Sequence, residues 1–364
     1  MPTVRVWTGR ETRALRHALR QSVRVFAQNE LGVAVRTVSK WEHLGAATQP
    51  RPDTQAILDT TLQRASPEVQ ARFELFLRET GGPAAGVDPV RAPCPQAWEY
   101  ETWTDDLERA AVLLSRQKFP AATNLLHRWL TRFPCTQLDD QGRYLHARSL
   151  VLLGDAQRDQ GVLLGPASAG WAYDRALSMF ADLDVPRRVA QVELALAVVA
   201  EMHGDLQKAA RRYEQLAGDQ RLSSRDRARA LLWVGTALSK DGDHDHAVQV
   251  MTAATHQLEN LDEGEDWSVA QQKIALAHRG AGRQDQAQHF IDLAHSSGTD
   301  DTPMQRVRLA TAHAHILLSD RATCDHGLAM LHDTARLALS SGLSHQTRAI
   351  TAIRRRFETG AVTE

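Results

Sequence analysis

The chain has 364 residues, of which 43% are hydrophobic and 24% charged, with a formal net charge of −1. This is the composition of an ordinary folded protein with room for two or three domains, and it excludes collagen-like and wholly disordered chains. The near-zero net charge argues against a chain that coats nucleic acid along its whole length, and the longest apolar stretch, 194–200, is far too short to span a bilayer.

No apolar signal-peptide core opens the sequence, and the cysteines, Cys94, Cys135 and Cys324, are odd in number and widely spaced. The expectation is three free thiols, a cytoplasmic location and no membrane partner. Charge is distributed unevenly: residues 1–52 carry nine Lys or Arg against three acids, so the rest of the chain is net acidic. A basic head on an acidic body fits a nucleic-acid-reading module joined to a protein-binding or sensory one.

Strand signals are nearly absent, because the β-branched residues fall at helical spacing, as in Val192, Leu196 and Val199. The fold class expected is all-α. In the head, helical patterns run over 10–20, 23–30, 35–42, 54–64 and 67–78. Ser22 is placed to cap the second, and Gly32 can supply a left-handed turn before the third. Val38 and Trp41, three apart, face inward there, which leaves Arg36, Thr37, Ser39 and Lys40 facing out. Residues 79–97 hold three Gly and four Pro with no apolar periodicity and read as a linker. The boundaries expected are therefore a head at 1–78, a linker at 79–97 and a body at 98–358.

The body carries a repeat. Gly204, Gly242 and Gly282 are each followed five residues later by an alanine, Ala209, Ala247 and Ala287, and seven further on by Leu216, Ala254 and Ala294. Each Gly separates two apolar helical runs, so the unit is helix, tight turn, helix, with small residues where the helices touch; Ala197, Gly235 and Ala275 supply the matching positions on the first helices. An earlier unit fits around Ala122 and Pro134, with Gln117 in place of the turn glycine. Another spans 144–160 and 171–181 around an irregular loop at 161–170. A sixth hairpin, 304–319 with 323–340, keeps the helical period without the Gly/Ala signature, and a last helix at 343–357 covers the end.

The segment S-V-R-V-F-A-Q-N-E-L-G-V-A-V-R-T-V-S-K-W-E resembles the helix-turn-helix of Cro/repressor-type (XRE) transcriptional regulators, and with its flanks it is similar to the heads of actinobacterial members that carry helical repeats behind them. The body resembles the tetratricopeptide repeat. The architecture implied is a helix-turn-helix bundle followed by a tetratricopeptide-like α-solenoid, as in peptide-responsive bacterial regulators. The resemblance implies a recognition helix beginning near Val35, operator DNA as partner, and a homodimer reading paired half-sites. The DNA-contacting residues it suggests are Ser22, Arg24, Val35, Arg36, Thr37, Ser39, Lys40 and Arg51.

The head departs from the family pattern in two ways. Three residues, Gln28 to Glu30, stand between the Phe26-Ala27 pair and Leu31 where the family has two, so the helix must bulge or its turn lengthen. Ala34 and Val23 replace a frequent capping Ser and a frequent contacting Gln. The alternative is an adaptor whose head no longer binds DNA. In the body, the concave face implied by the repeat resemblance places Gln191, Glu201, Arg229, Thr236, Gln272 and Arg279 toward a peptide or protein ligand, with Arg229 and Arg279 suited to a carboxylate.

No arrangement supports catalysis, a cofactor or a metal. His244 and His246, and His313 and His315, are two apart and point to different sides of a helix; adding Cys324 and His326 does not complete a site. Phosphate-loop and nucleophile-elbow motifs are missing. Trp129, Trp171, Trp233 and Trp267 fall in repeat helices and are expected in the core.

Overall fold

The computed structural model describes residue 4 and residues 6–79, 95–296 and 302–360, and every regular element among them is helical. The chain divides into two compact units, Met1–Pro93 and Cys94–Glu364. Residues 80–94 of the expected linker, with Cys94, lie outside the described residues; Cys135 and Cys324 are free thiols.

The first unit contains α1 (Gly9–Ala18), α2 (Val23–Val25), α3 (Val35–Leu44), α4 (Pro52–Arg64) and α5 (Pro67–Glu79). Thr8 and Glu11 form a reciprocal capping box on α1, and Ser22 caps α2 by accepting from the Val25 N–H at 3.2 Å. α4 begins two residues earlier than the periodicity suggests because Pro52 tolerates the first turn, where its missing N–H has no intrahelical partner to lose. Trp7, Leu15, Phe26, Val38, Leu58 and Phe73 form the buried core. Gly9 lets α1 approach α3 closely: a Cβ there would lie 1.8 Å from the Trp41 carbonyl oxygen.

Among the described residues, the second unit shows six helical hairpins and a final helix. They are α6 (Ala97–Ser115) with α7 (Phe119–Arg132), α8 (Asp140–Asp159) with α9 (Ala169–Asp182), α10 (Pro186–His203) with α11 (Leu206–Ala217), α12 (Ser224–Asp241) with α13 (His244–Asn260), α14 (Gly264–Gly280) with α15 (Gln284–Ser296), α16 (Pro303–Leu317) with α17 (Cys324–Ser340), and α18 (Ser344–Gly360). The turn glycines Gly204, Gly242 and Gly282 all adopt positive φ, at +106°, +100° and +73°. Ala209, Ala247, Ala287, Ala254 and Ala294 are buried, as the repeat pattern requires. A Cβ on Gly235 would meet Met251 at 2.5 Å, so the small residue there sets the spacing between α12 and α13.

Within this unit the stack closes on itself. Leu114, Phe119, Ala122 and Ala156 from the first hairpins share one apolar cluster with Met304, Val307, Leu331, Leu343 and Ile350 from the last elements. Gln117, standing where other hairpins have glycine, takes φ +54°; its side-chain oxygen accepts from the Met304 N–H at 3.2 Å while its amide nitrogen donates to the Leu114 and Ser115 carbonyls. Arg348 on α18 donates to the Gly161 carbonyl at 3.0 Å. The first helices of the hairpins therefore surround a common interior.

Candidate functional site

Two regions bear the sequence-derived site residues, one in each unit. In the first unit the extra residue between Ala27 and Leu31 is absorbed locally: Phe26–Glu30 is a single π-helical turn, with the Leu31 N–H donating to the Phe26 carbonyl at 3.3 Å. The Val33 N–H closes on the Ala27 carbonyl at 2.9 Å, and Gly32 supplies φ +62°. Phe26, Ala27 and Leu31 all remain buried. The bulge keeps both the apolar anchor before it and the one after it in the core, so α3 starts at Val35 with its inner face on Val38.

A buried ion pair holds α3 against α1. Arg16 donates from Nε and Nη2 to the two Glu42 carboxylate oxygens at 2.6 and 2.8 Å, and its third nitrogen, Nη1, donates to the Gln21 carbonyl at 3.0 Å. Both side chains are 11% exposed. The fork geometry fixes orientation as well as distance. Two arginines counted in the basic segment, Arg16 and Arg10, thus serve the unit internally, since Arg10 donates to the Leu77 carbonyl; Arg72, further along, likewise donates to that of Ala18.

The outer face of α3 is different. Arg36, Ser39 and Lys40 are exposed, Thr37 is half-buried, and Arg24 and Arg51 are exposed nearby in the chain. Among the described residues none of these four cations has an ion-pair partner. Val35 is half-buried and packs on the core, which makes it an anchor of the helix start rather than a free contact. Ser22 uses its oxygen as a cap. Ala34 occupies the N-cap of α3 with no side-chain bond, so this terminus keeps unsatisfied N–H groups.

In the repeat unit, all six expected ligand residues are engaged within the protein. Gln191 accepts from Arg188 at 2.9 Å and donates to Asp226 at 3.2 Å. Glu201 accepts from Tyr213 at 2.8 Å and Lys240 at 2.7 Å. Arg229 lies 3.5 Å from Asp266, which also takes Arg225 at 2.6 Å. Thr236 is buried and bonds the Leu232 carbonyl; Gln272 donates to the Arg308 carbonyl at 2.9 Å and Arg279 to that of His315 at 2.7 Å. Most of these side chains tie α10, α12, α14 and α16 to their neighbours; Arg279 is taken up by a backbone carbonyl, whereas the buried Arg229 Nε, 3.5 Å from Asp266, has no hydrogen-bond partner among the described residues.

Two cations that the repeat pattern does not single out stand at the interior instead. Lys273 on α14 and Arg308 on α16 are half-buried, within electrostatic reach of each other, and without a carboxylate partner among the described residues. Burial holds the Lys273 ammonium down at about 8, helped by repulsion from Lys240 and Arg308 and opposed by Glu201. Burial also lowers Arg308, against the pull of Asp159 and Glu201. For Glu201, burial acts upward, yet Lys240 and Lys273 leave its carboxyl below the usual range. His315 is driven down to about 4 by burial, with Arg279 and Arg356 adding repulsion.

The tryptophans divide. Trp129 is core, stacked on Trp103 at 5.2 Å; Trp171 is exposed under Arg175; and half-buried Trp233 lies beneath the Lys273 ammonium, 5.4 Å from its ring centre. Trp171 therefore departs from the expected core placement. Among the described residues no group of three or more His, Cys, Asp or Glu is arranged to hold a metal, and no helix is long and apolar enough to cross a membrane. His313 instead meets His295 at 3.2 Å.

No family model matches this chain, and no curated protein matches it by sequence. Solved structures do. It is similar to a Rap protein complexed with competence and sporulation factor, at 14% identity and TM-score 0.50, over 96% of this chain and 98% of that one. It is also similar to the Rap conjugation gene regulator of plasmid pLS20, solved with a peptide, at 10% identity and TM-score 0.51, over 92% and 98%. A third is aspartyl phosphate phosphatase F from Bacillus subtilis, at 10% identity and TM-score 0.50, over 98% and 96%. At these identities the likeness is one of fold: an all-α chain built on a tetratricopeptide-like solenoid.

Proposed function

We propose that the protein is a cytoplasmic DNA-binding transcriptional regulator, acting as a homodimer, whose repeat unit receives a peptide or protein signal. The observation that carries this reading is the outer face of α3, where Arg36, Ser39 and Lys40 are exposed and the cations have no ion pair among the described residues, on a helix locked from behind by Arg16 and Glu42. A helix so held can enter a major groove with its first turns, where Arg reads guanine edges and Ser or Thr reaches bases or phosphates. The π-turn supports it further, because the extra residue leaves the core contacts on both sides in place. The signal half of the reading is supported by the closed repeat interior, and by the fact that one of the similar solved structures holds a peptide. Nothing in this reading calls for catalysis.

The test is a mobility shift of the full-length protein on the DNA upstream of its own gene at two salt concentrations. Specific binding should weaken steeply with salt, and Arg36→Ala and Lys40→Ala should each abolish or strongly reduce it with helical content unchanged. Equal affinity in wild type and both variants, or no binding at low salt, overturns the reading.

An adaptor is the second reading, and one observation favours it: Val6, Val25, Leu44, Ile57 and Leu75 are large aliphatic residues exposed on the first unit. An adaptor would be indifferent to the two substitutions.

A further inference from the structure

We propose that the cavity between the first helices α8 and α10 of the repeat unit receives the C-terminal residue of a peptide, its free carboxylate held by Arg148 and Arg188 and its apolar side chain set against Phe180 and Val192. The inference rests on the ligand-binding half of the function proposed above and names the part of the ligand that is recognised.

The cavity measures about 220 Å³, and its walls include Arg148, Val151 and Asp155 of α8, Phe180 of α9, and Arg188 and Val192 of α10. Arg148 and Asp155 stand seven residues apart on α8, two turns along one face, so both present to the same space. Arg148 is half-buried, and its side chain makes no hydrogen bond or ion pair among the described residues, yet its nitrogens are not sealed from solvent. Arg188 is held in place by neutral groups alone. Its Nε donates to the Tyr144 hydroxyl at 3.2 Å and its Nη1 to the Gln191 amide oxygen at 2.9 Å, which leaves Nη2 without a bond among the described residues. Asp155 brings the opposite charge to the cavity, with one oxygen engaged and one free. Oδ1 accepts from Arg158 at 2.9 Å and from Tyr173 at 2.7 Å, whereas Oδ2 accepts from nothing among the described residues. Burial raises the Asp155 carboxyl above its ordinary value against the pull of Arg158 and Tyr173, so a further donor at Oδ2 is favoured.

Two guanidinium groups with free N–H donors, one free carboxylate oxygen and an apolar wall form the complement of a chain terminus. A C-terminal carboxylate takes the forked donors of arginine, and the backbone N–H of the same residue offers the donor that Asp155 Oδ2 lacks. Val151, Phe180 and Val192 supply the surface for that residue's side chain. An inorganic anion would leave this wall unused and set its charge beside Asp155. An internal Asp or Glu would bring a carboxylate with no apolar side chain on the same residue. The volume lies below the roughly 300–1,000 Å³ of pockets that enclose drug-sized ligands, so the cavity takes one residue rather than a segment.

The test uses the full-length protein and two pools of short random peptides matched in sequence, one with free C-terminal carboxylates and one amidated, with free leucine as a further probe. Binding is read by thermal shift and by mass spectrometry of retained peptides. Peptides with an apolar last residue and a free carboxylate should be retained and raise the melting temperature, and amidation should weaken them at least about tenfold. Arg148→Met should impose a loss of the same size with the unliganded melting temperature unchanged, since Arg148 has no internal bond to give up; Arg148→Lys, which keeps the charge, should keep part of the affinity. Arg188→Met is the less clean variant because it also releases Tyr144 and Gln191. A clearly lower melting temperature of unliganded Arg148→Met assigns that side chain a structural role and overturns the proposal. Equal retention of the two pools, or binding untouched by Arg148→Met, overturns the terminal-carboxylate chemistry and leaves the proposed ligand-binding role standing, whereas retention of neither pool ends both. Binding of leucine alone shows a site for a free amino acid and overturns the peptide occupant.

Discussion

The two units use arginine in opposite ways. In the first, Arg16 bonds Glu42 and Arg10 and Arg72 each bond a backbone carbonyl, while Arg24, Arg36 and Arg51 project outward with no ion pair among the described residues. In the repeat unit the inward-facing arginines tie one helix to the next, as Arg225 and Arg229 do with Asp266 and Arg279 with the His315 carbonyl. An arginine on the expected face of a helix is therefore not by itself a ligand contact. What separates the two uses is whether an adjacent element supplies an acceptor, and in a stack of hairpins a neighbouring helix nearly always lies within reach of a long side chain.

The largest expected effect tests whether the first unit depends on the buried Arg16–Glu42 ion pair. Arg16→Ala leaves Glu42 buried without its counter-charge, and removing one partner of such a pair costs about 3–5 kcal/mol. The melting of the first unit should fall steeply while that of the repeat unit stays, and DNA binding should be lost through unfolding rather than through a missing contact. A full-length thermal scan followed by near-UV signals of Trp7 and Trp41 on one side and Trp103 and Trp129 on the other would read this. An unchanged first transition would place the stability of the bundle in its apolar core alone.

Acid should distinguish the units in the other direction. Burial pushes His146 of α8 down to about 4 from an ordinary 6.5, with repulsion from Arg175 adding and a backbone bond to Phe133 opposing. A base with a depressed folded value binds fewer protons folded than unfolded between those two pH values, so stability is complete above about 6.5 and is lost as pH falls toward 4. His146 is 7% exposed, and its share across that window is about 3 kcal/mol. His315, which keeps some contact with solvent, adds a smaller amount in the same direction. In the first unit His17 is also lowered, chiefly by burial, but lies exposed at the surface. Urea unfolding at pH 7 and pH 5 should show the repeat unit losing more than the first, with His146→Gln flattening the difference; equal loss in both units would end the distinction.

The turn glycines at 204, 242 and 282 and the alanines after them were legible because the repeat reports the same local geometry several times over. Gln117 was legible only as an exception: its left-handed backbone follows from its place in the pattern, but its bond to Met304, 187 residues away, depends on the closure of the stack. The sixth hairpin hid its signature in a shifted position. Gly327, whose Cβ would sit 3.0 Å from the Ala314 carbonyl oxygen, makes the close contact that alanine makes elsewhere. At the functional faces, Arg36, Ser39 and Lys40 could be read as outward from Val38 and Trp41 on one helix. Lys273 and Arg308 could not, because their setting is made by groups from α8, α10 and α12, Asp159, Glu201 and Lys240 among them, a property of the assembled repeat unit.

The smallest prediction sharpens the account of α3. Ala34 has the extended backbone of an N-cap, φ −65° and ψ 139°, yet no oxygen to offer the orphan N–H groups of the first turn. Ala34→Ser needs no backbone change and should stabilise the first unit by about 1 kcal/mol, leaving the repeat unit untouched. The effect on DNA affinity is the informative part. A hydroxyl that accepts from the helix terminus competes with any phosphate bound there, since both would use the same N–H groups. If the uncapped terminus of α3 receives a backbone phosphate, Ala34→Ser will raise the melting temperature while weakening DNA binding severalfold and reducing its salt dependence. If the terminus stays clear of the duplex, stability and affinity will rise or hold together, and the contact to phosphate must come from Arg24 or Arg51 instead.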